Sequence, residues 1–275
     1  MSEKTVEKVF VVVDPSKTRH YALERAIQTA KMVKSETFVH AFVAVDPDAV
    51  DTRATNDTLF RDLDWFSQAV KQPLEDAGIP YDLEVSWSSE WQQSIISSSK
   101  MSGAGRIYLP VHERSSSSRF SFSESKWDLL KAASMPVVLI QPEAAQERKV
   151  VLAAVNFQAL EDFQRELNQR ILSCGKKFAE AYDAEIHVVN AYLDSMNYPD
   201  RGQLAKQTGL PPERIHVEAG YTSEAVSAVA KRVNADLVVM GTLGQNGMTR
   251  TRRRGNTAER VIAALTQDIM VINSN

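Results

Sequence analysis

The chain has 275 residues, of which 43% are hydrophobic and 24% charged, and its formal net charge is −3. This length accommodates one large domain or two of ordinary size, and the composition is that of a globular protein. The small net charge provides no overall attraction to nucleic acid or to an anionic membrane, so we expect neither as a partner.

Targeting features and cysteine usage favour the cytoplasm. The N-terminal residues 1–8 are polar and charged and lack the apolar core of a signal peptide. No apolar run approaches the roughly 20 residues that span a bilayer. The single cysteine, Cys174, excludes a disulfide within the chain and is predicted to be a core or half-buried residue.

The first half of the chain predicts five strands separated by helical segments. Its first strand, residues 8–14, is a continuous apolar run ending at Asp14, which is typical of a parallel strand covered on both faces. The other strands are predicted at 37–42, 81–86, 106–109 and 136–140, and helices at 18–34, 56–77 and 90–101. The apolar positions of the helix at 56–77 are three or four residues apart: Leu59, Leu63, Phe66, Val70 and Leu74.

The second half repeats this order. Its first strand, residues 149–156, ends at Asn156. The other strands are predicted at 185–192, 215–219, 236–240 and 268–272, and helices at 160–182 and 223–233. The second connection, 194–212, is polar and broken by Gly202, Gly209 and two prolines, with a helix expected only around 203–208. His40-Ala41 and Asn190-Ala191 are interpreted as equivalent positions of the second strands.

This duplication predicts two α/β domains. Strands that alternate with helices favour a parallel sheet with right-handed crossovers. The polar stretch 141–148, which contains Pro142, is the natural linker. We therefore place the first domain at residues 1–142 and the second at residues 148–275.

A glycine-rich stretch near the C-terminus has the features of a phosphate-binding loop. Gly241 and Gly244 remove side chains next to a strand end, so backbone can approach a phosphate. Gly255, Asn256 and Thr257 offer backbone N–H groups at a helix start. The loop between them contains four arginines: Arg250, Arg252, Arg253 and Arg254. These arginines fit a solvated loop, a phosphate contact or a nucleic acid contact, although no aromatic residues alternate with them.

The glycine stretch, set within the duplicated strand–helix order, resembles the universal stress protein family in its tandem, two-domain form. It is most similar to the long members of Gram-negative bacteria, with GNTAE at 255–259. Ten residues separate Gly244 from Gly255 instead of nine, and Asn256 stands where Ser or Thr is usual. The resemblance implies a doubly wound, Rossmann-like sheet of order 3-2-1-4-5 in each domain.

The resemblance also implies a nucleotide site in the second domain, with ATP as the candidate cofactor. Its candidate binding residues are Asn156, Ala191, Gly241, Gly244, Arg254, Gly255, Asn256 and Thr257. Asn156 replaces the carboxylate that would face adenine and magnesium, and it lacks the charge preferred by a hard cation. We expect no metal site.

The first half lacks the glycine motif, because no glycine lies between its fourth and fifth strands. Asp14 is therefore predicted to cap the turn at 14–16 instead of binding a ligand. His112 is predicted on the surface, and the serine-rich segment 115–123 is predicted as a flexible loop, with phosphorylation as the alternative. Five aromatic residues are predicted mostly in the core, with the lining of an apolar pocket as the alternative: Trp65, Phe66, Trp87, Trp91 and Trp127.

No constellation of catalytic residues appears in the sequence, and the five histidines are scattered along it. The main hypothesis is a non-catalytic stress-response protein that acts by binding a small ligand or a protein partner. The alternatives are an ATP-binding switch in the second domain and a first-domain pocket for an apolar or nucleotide-linked metabolite. The resemblance further implies an intramolecular pseudo-dimer through the fifth strands, and a homodimer stays open as well.

Overall fold

The computed structural model describes residues 6–33, 35–45, 61–111, 124–242 and 257–274. The chain divides into two compact units. The first contains Met1–Leu129 and Met135–Pro142, and the second contains Leu130–Ser134 and Glu143–Asn275.

The first unit contains a parallel five-stranded sheet. Its strands are β1 (Val6–Val13), β2 (Glu36–Ala44), β3 (Tyr81–Ser86), β4 (Arg106–Pro110) and β5 (Val137–Ile140). Their order is β3-β2-β1-β4-β5. Its helical segments are α1 (Tyr21–Met32), α2 (Leu63–Phe66), a π-helical turn (Ser67–Lys71), α3 (Gln72–Asp76), α4 (Trp91–Met101) and α5 (Glu124–Ala132).

The second unit repeats this sheet. Its strands are β6 (Val150–Val155), β7 (Glu185–Tyr192), β8 (Ile215–Ala219), β9 (Leu237–Thr242) and β10 (Asp268–Asn273), in the order β8-β7-β6-β9-β10. Its helices are α6 (Asp162–Tyr182), α7 (Arg201–Thr208), α8 (Thr222–Arg232) and α9 (Thr257–Ala264), with short 3-10 turns at Ser195–Asn197 and Pro212–Arg214. Both units therefore have the predicted order 3-2-1-4-5, and the α/β fold class is confirmed.

The apolar strands form the core of each unit. Residues 9–13 of β1 are at most 1% exposed, and residues 237–239 of β9 are fully buried. Strands covered on both faces need apolar side chains at every position, which explains why these runs show no alternation.

The strand registers correct one predicted equivalence. His40 in β2 corresponds to His187 in β7, because both lie at the same distance from the end of the first strand of their unit. The predicted equivalence of residues 40–41 with residues 190–191 is therefore wrong by three residues. Uniformly apolar strands contain no feature that fixes their register in the sequence.

The helix predicted at 56–77 begins, in its described part, at Leu63 and runs to Asp76, but it is not a regular α-helix. The Gln72 N–H donates to the Ser67 carbonyl five residues back, which defines the π-helical turn. The next residue, Pro73, has no N–H to donate, and the wider turn accommodates it. Leu63 is 83% exposed, whereas Val70 and Leu74 are fully buried, so the predicted apolar face is wrong at Leu63.

The predicted helix around 203–208 is confirmed as α7, but Gly202 lies inside the helix and does not break it. The Asp200 carboxylate starts the helix by accepting hydrogen bonds from the N–H groups of Gly202 and Gln203, at 2.7 and 3.2 Å. Gly209 ends it with a φ of 63°, a left-handed conformation that glycine adopts without strain.

The predicted linker at 141–148 ends in a buried residue. Arg148 is 3% exposed and forms an ion pair with Asp268, which is fully buried. Its guanidinium also donates to the carbonyls of Ala145 and Glu147, at 3.2 and 3.1 Å. The stretch is therefore anchored in the second unit at its C-terminal end instead of being solvated throughout.

Within the described part of the chain, no helix combines the length and the apolar character that crossing a membrane requires.

Candidate ligand site at the strand ends of the second unit

The strand order of the second unit reverses between β6 and β9. These two strands pair with each other near their N-terminal ends. Open α/β sheets bind ligands at the carboxyl ends of the strands flanking such a point. Asn156 follows β6 directly, Ala191 lies near the end of the neighbouring β7, and Gly241 lies near the end of β9. The structure therefore brings three of the predicted residues to one edge of the sheet.

Thr257 is the exposed first residue of α9, as predicted for a helix start. The remaining candidates lie outside the described residues, and so do the other arginines of the loop: Gly244, Arg254, Gly255, Asn256, Arg250, Arg252 and Arg253. Their contact with a ligand stays a prediction.

The backbone of Asn156 is held by one buried side chain. Its N–H donates to Oδ1 of Asn168 at 3.0 Å, and its carbonyl accepts from Nδ2 of Asn168 at 2.6 Å. Asn168 lies in the second turn of α6 and is 7% exposed. The amide side chain donates and accepts at once in this way, whereas an ionised carboxylate has no hydrogen to give. The amide of Asn156 itself is exposed and available to a ligand.

A second buried amide ties the following loop to β7. Oδ1 of Asn190 accepts from the Phe157 N–H at 2.8 Å, and its Nδ2 donates to Oε1 of Gln158 and to the Ala191 carbonyl, at 3.0 and 3.1 Å. Asn190 is fully buried. Asn156 and Ala191, the two predicted ligand contacts on adjacent strands, are thus fixed relative to each other by Asn168 and Asn190.

Sequence reasoning missed both amides, although each leaves a signal. Asn190 follows two buried valines in β7, and Asn168 adjoins Leu167 on the buried face of α6. A buried amide must find partners, so a polar residue on an apolar face indicates a specific hydrogen-bonding role.

Gly241 has a packing role that differs from its predicted one. A Cβ atom at this position would lie 2.7 Å from Cδ2 of Leu167 and 2.9 Å from Cδ1 of Ile171. Both side chains belong to α6. The absence of a side chain at Gly241 therefore allows this helix to pack closely against the sheet. Gly175 acts similarly within α6, since a Cβ there would lie 3.2 Å from Cδ1 of Ile186. The contact of Gly241 with a phosphate stays a prediction.

The corresponding loop of the first unit confirms the predicted turn. The Asp14 carboxylate accepts from the Ser16 N–H at 2.9 Å, and its carbonyl accepts from the Lys17 N–H at 3.2 Å. Nε of Arg61 donates to the Pro15 carbonyl at 2.9 Å, a contact that sequence reasoning missed. His112 and the serine-rich segment 115–123 lie outside the described residues.

The aromatic residues of the first unit divide between core and surface. Trp91 and Trp127 are 2% and 9% exposed, which confirms their predicted core positions. Trp87 is 54% exposed, so its predicted core position is wrong. A cleft of about 230 Å³ between α1 and α3 is lined by residues such as Leu23 and Ile27, but by none of the five aromatic residues. Pockets for drug-sized ligands are larger, about 300–1,000 Å³.

Two histidines that are far apart in the sequence meet in the second unit. Nδ1 of His187 lies 3.1 Å from Nε2 of His216. Burial lowers the pKa of His216 to about 4, and the charges of His187 and Arg232 act in the same direction. Among the residues that the structure describes, no group of three histidine, cysteine or carboxylate side chains could hold a metal ion.

The other predicted structural residues are confirmed. His40 contacts the Glu84 carboxylate at 3.0 Å and stacks on Phe10. Cys174 is half-buried on α6, and its thiol lies 3.3 Å from the Met270 sulfur.

Comparison with known proteins agrees with this architecture. Residues 179–273 match the model of the universal stress protein family. Universal stress protein E of Escherichia coli K12 is 26% identical over 298 aligned residues, which cover 97% of this chain and 93% of that protein. The universal stress protein E homolog of Haemophilus influenzae Rd is 25% identical, with 97% of each chain covered. By these comparisons, nearly the whole chain resembles the tandem universal stress proteins.

Solved structures of universal stress proteins share the fold over the whole chain. A putative member from Pseudomonas aeruginosa UCBPP-PA14 has a TM-score of 0.76 at 22% identity, covering 98% of this chain and 94% of that one. A member from Archaeoglobus fulgidus has a TM-score of 0.70 at 17% identity, covering 98% of each chain. The predicted resemblance to tandem universal stress proteins is thereby confirmed, and these structures confirm the fold.

Proposed function

We propose that this universal stress protein is a non-catalytic binding protein whose second unit holds a nucleotide at its strand ends. We also infer that residues 1–142 and 148–275 each form one domain of the family. The observation that carries the ligand proposal is the fixed placement of Asn156 beside Ala191, at the point where the strand order reverses. The buried amides of Asn168 and Asn190 hold this edge in one conformation before any ligand arrives, which lowers the ordering cost of binding.

The chemistry of Asn156 defines the kind of binding that we expect. A neutral amide at this position donates and accepts hydrogen bonds, but it lacks the charge that draws a magnesium ion. Phosphoryl transfer depends on such charge to stabilise its transition state. The proposal is therefore that nucleotide binds without a divalent cation and is not hydrolysed.

The test uses the purified full-length chain and the nucleotides ATP and AMP. Mass spectrometry of the purified protein identifies any retained ligand, and thermal shift with each nucleotide is measured in Mg²⁺ and in EDTA. We expect each nucleotide to raise the melting temperature of the protein equally in Mg²⁺ and in EDTA, and ATP to release no phosphate.

A matched pair of variants locates the site. Thr257→Ala removes the hydroxyl at the start of α9, and we expect it to weaken nucleotide binding several-fold. Thr222→Ala removes the corresponding exposed hydroxyl at the start of α8 and should leave binding unchanged. Equal effects of the two substitutions, or no stabilisation by either nucleotide, would overturn the proposed site.

The second candidate is a magnesium-dependent ATP switch, which the glycine stretch favours. Asn156→Asp separates the two candidates. Asn168 binds only the backbone of residue 156, so we expect the fold to tolerate the exchange. If the native site is independent of metal, this substitution should make ATP binding increase with Mg²⁺. Native binding that already requires Mg²⁺, with slow release of phosphate, would establish the switch instead.

A further inference from the structure

Four side chains form a row of polar contacts across the edge of the second unit's sheet, two of them hydrogen bonds and one an ion-pair contact. His187 lies in β7, and His216 lies in β8, the last strand on that side of the sheet. Arg232, the last residue of α8, places Nη2 3.4 Å from Nδ1 of His216. At the other end, Oε2 of Glu185 lies 3.5 Å from Nε2 of His187. The sequence of contacts is therefore Arg232, His216, His187, Glu185.

The two ends of this chain fix where its hydrogens lie. Arginine can only donate, so Nδ1 of His216 must be the acceptor and its hydrogen resides on Nε2. That hydrogen points at Nδ1 of His187, which accepts it. The hydrogen of His187 is then on Nε2 and faces the Glu185 carboxylate. Every donor in the chain thus meets an acceptor only when both imidazoles are neutral and carry hydrogen on Nε2.

The ring geometry indicates a shared proton instead of a metal ion. The ring centroids are 5.3 Å apart and the rings are inclined by only 21°. With the two nitrogens 3.1 Å apart, the imidazoles meet edge to edge in nearly one plane. Their facing nitrogens then lie on a common axis, and a metal at about 2 Å from each nitrogen does not fit between them. An N–H···N hydrogen bond does.

The other charges around the pair come from four elements. Glu218 of β8 forms an ion pair with Arg232 of α8 and partly offsets its charge. Arg214, which precedes β8, lies 3.6 Å from the Glu185 carboxylate, and Arg201 of α7 adds a weak positive contribution at His216. Positive groups therefore dominate near His216, and negative charge is closest to His187.

We propose that the His187–His216 pair is an acid-sensitive contact that holds the end of α8 against the edge strand β8 only while both imidazoles are neutral. An additional proton on the pair places an N–H on Nδ1 of His216 in either of two ways. It charges His216 directly, or it binds Nδ1 of His216 while the Nε2 proton of His216 passes across the hydrogen bond to Nδ1 of His187, which then carries the charge. That N–H then faces the Arg232 guanidinium, where two donors and two positive charges repel each other. Acid thus breaks the Arg232–His216 contact first, while the bond between the histidines persists.

The titration behaviour agrees with this geometry. The pKa of His216 is lowered to about 4, first by burial and then by the charges of His187 and Arg232. A histidine with a lowered pKa in the folded state binds its proton more readily when unfolded or when the contact opens. Proton uptake between about pH 6.5 and 4 therefore favours the open contact.

The direct test is nitrogen-15 NMR of the imidazoles in the full-length chain. At pH 7 we expect both His187 and His216 to show a protonated Nε2 and an unprotonated Nδ1. On titration, His216 should become charged at about pH 4 instead of the ordinary 6.5, together with changed amide signals at the end of α8. Protonated Nδ1 on His216 at pH 7, or ordinary titration near pH 6.5, would contradict the proposal.

A matched pair of arginine variants tests the role of Arg232. Arg232→Gln removes the opposing charge, and we expect it to raise the pKa of His216 above its native value. Arg165→Gln removes an arginine of α6 that forms an exposed pair with Asp162, and His216 should titrate as in the native protein. If His216 titrates identically in native protein and in Arg232→Gln, the contact with Arg232 does not sense acid.

Discussion

Leu167 occupies the space that a side chain on Gly241 would need, with Cδ2 only 2.7 Å from the position of a Cβ atom. A side chain at 241 must displace the Leu167 and Ile171 side chains, which pack α6 on β9. The glycine is therefore required by the packing of the unit, whether or not a phosphate ever approaches it.

This relationship predicts that Gly241→Ala destabilises the protein by about 1–3 kcal/mol, the usual cost of overpacking a core. Urea denaturation measures the change. Gly105→Ala is the matched control, since a Cβ there has its nearest neighbour at 3.8 Å, and it should change stability by less than about 0.5 kcal/mol. An unchanged urea midpoint for Gly241→Ala would show that the Leu167 and Ile171 side chains move aside without loss of stability.

The buried ion pair between Arg148 and Asp268 predicts a large effect of single substitutions. Arg148→Met leaves a carboxylate without its buried counter-charge, and we expect a loss of about 3–5 kcal/mol in the free energy of unfolding. Adding Asp268→Leu to the same chain should restore much of it, because two apolar side chains need no partner. Arg165→Met, at an exposed pair, should cost about 0–1 kcal/mol. Equal losses of unfolding free energy in Arg148→Met and Arg165→Met would show that burial of the ion pair does not determine its contribution.

The two-point contact between Asn168 and the backbone of Asn156 predicts a pH-dependent variant. Asn168→Asp places a carboxylate against the Asn156 carbonyl and should cost about 1–3 kcal/mol at pH 7. The loss should diminish in acid, because the protonated carboxyl group can donate to that carbonyl again. Asn168→Leu is the control, since it loses both hydrogen bonds at every pH. Chemical denaturation at pH 7 and pH 5 distinguishes the two variants.

The lowered pKa of His216 predicts that acid weakens the fold. The unfolded chain takes up a proton near the ordinary value of 6.5, whereas the folded chain takes it up at about 4, so stability is lost as the pH falls through this window. Partial exposure limits the loss to roughly 1–2 kcal/mol. His216→Gln should flatten this decline, and His40→Gln, at the equivalent site of His187 in the first unit, should leave it in place. A decline that His216→Gln does not alter must have another origin.

The sequence predicted the elements of this fold because the strands are unusually apolar and the helices separate them at regular intervals. The placement of the strands was confirmed on that basis, whereas the order 3-2-1-4-5, also confirmed, was implied by the resemblance to the universal stress protein family. The contacts between these elements were harder to predict from the sequence. Leu63 has helical spacing but is exposed, and Trp87 is aromatic but lies on the surface, since burial depends on what packs opposite.

At the candidate site, the sequence predicted the strand ends but not what fixes them. Asn156 and Ala191 do lie on one edge of the sheet, whereas their restraint by Asn168 and Asn190 depends on the register between β6, β7 and α6. The histidine pair was missed for the same reason. His187 and His216 are 29 residues apart in the chain, and only the pairing of β7 with β8 brings them together.

The π-helical turn at Ser67–Lys71 has a consequence for the length of the first unit's second connection. It stores one residue more than an α-helix of the same span would contain. A deletion of one residue there could be absorbed by converting the turn to a regular helix, were it not for Pro73, whose ring would then clash with the preceding turn. Insertions and deletions in this segment are thus coupled to the identity of residue 73, and variation in chain length here should be accompanied by loss of the proline.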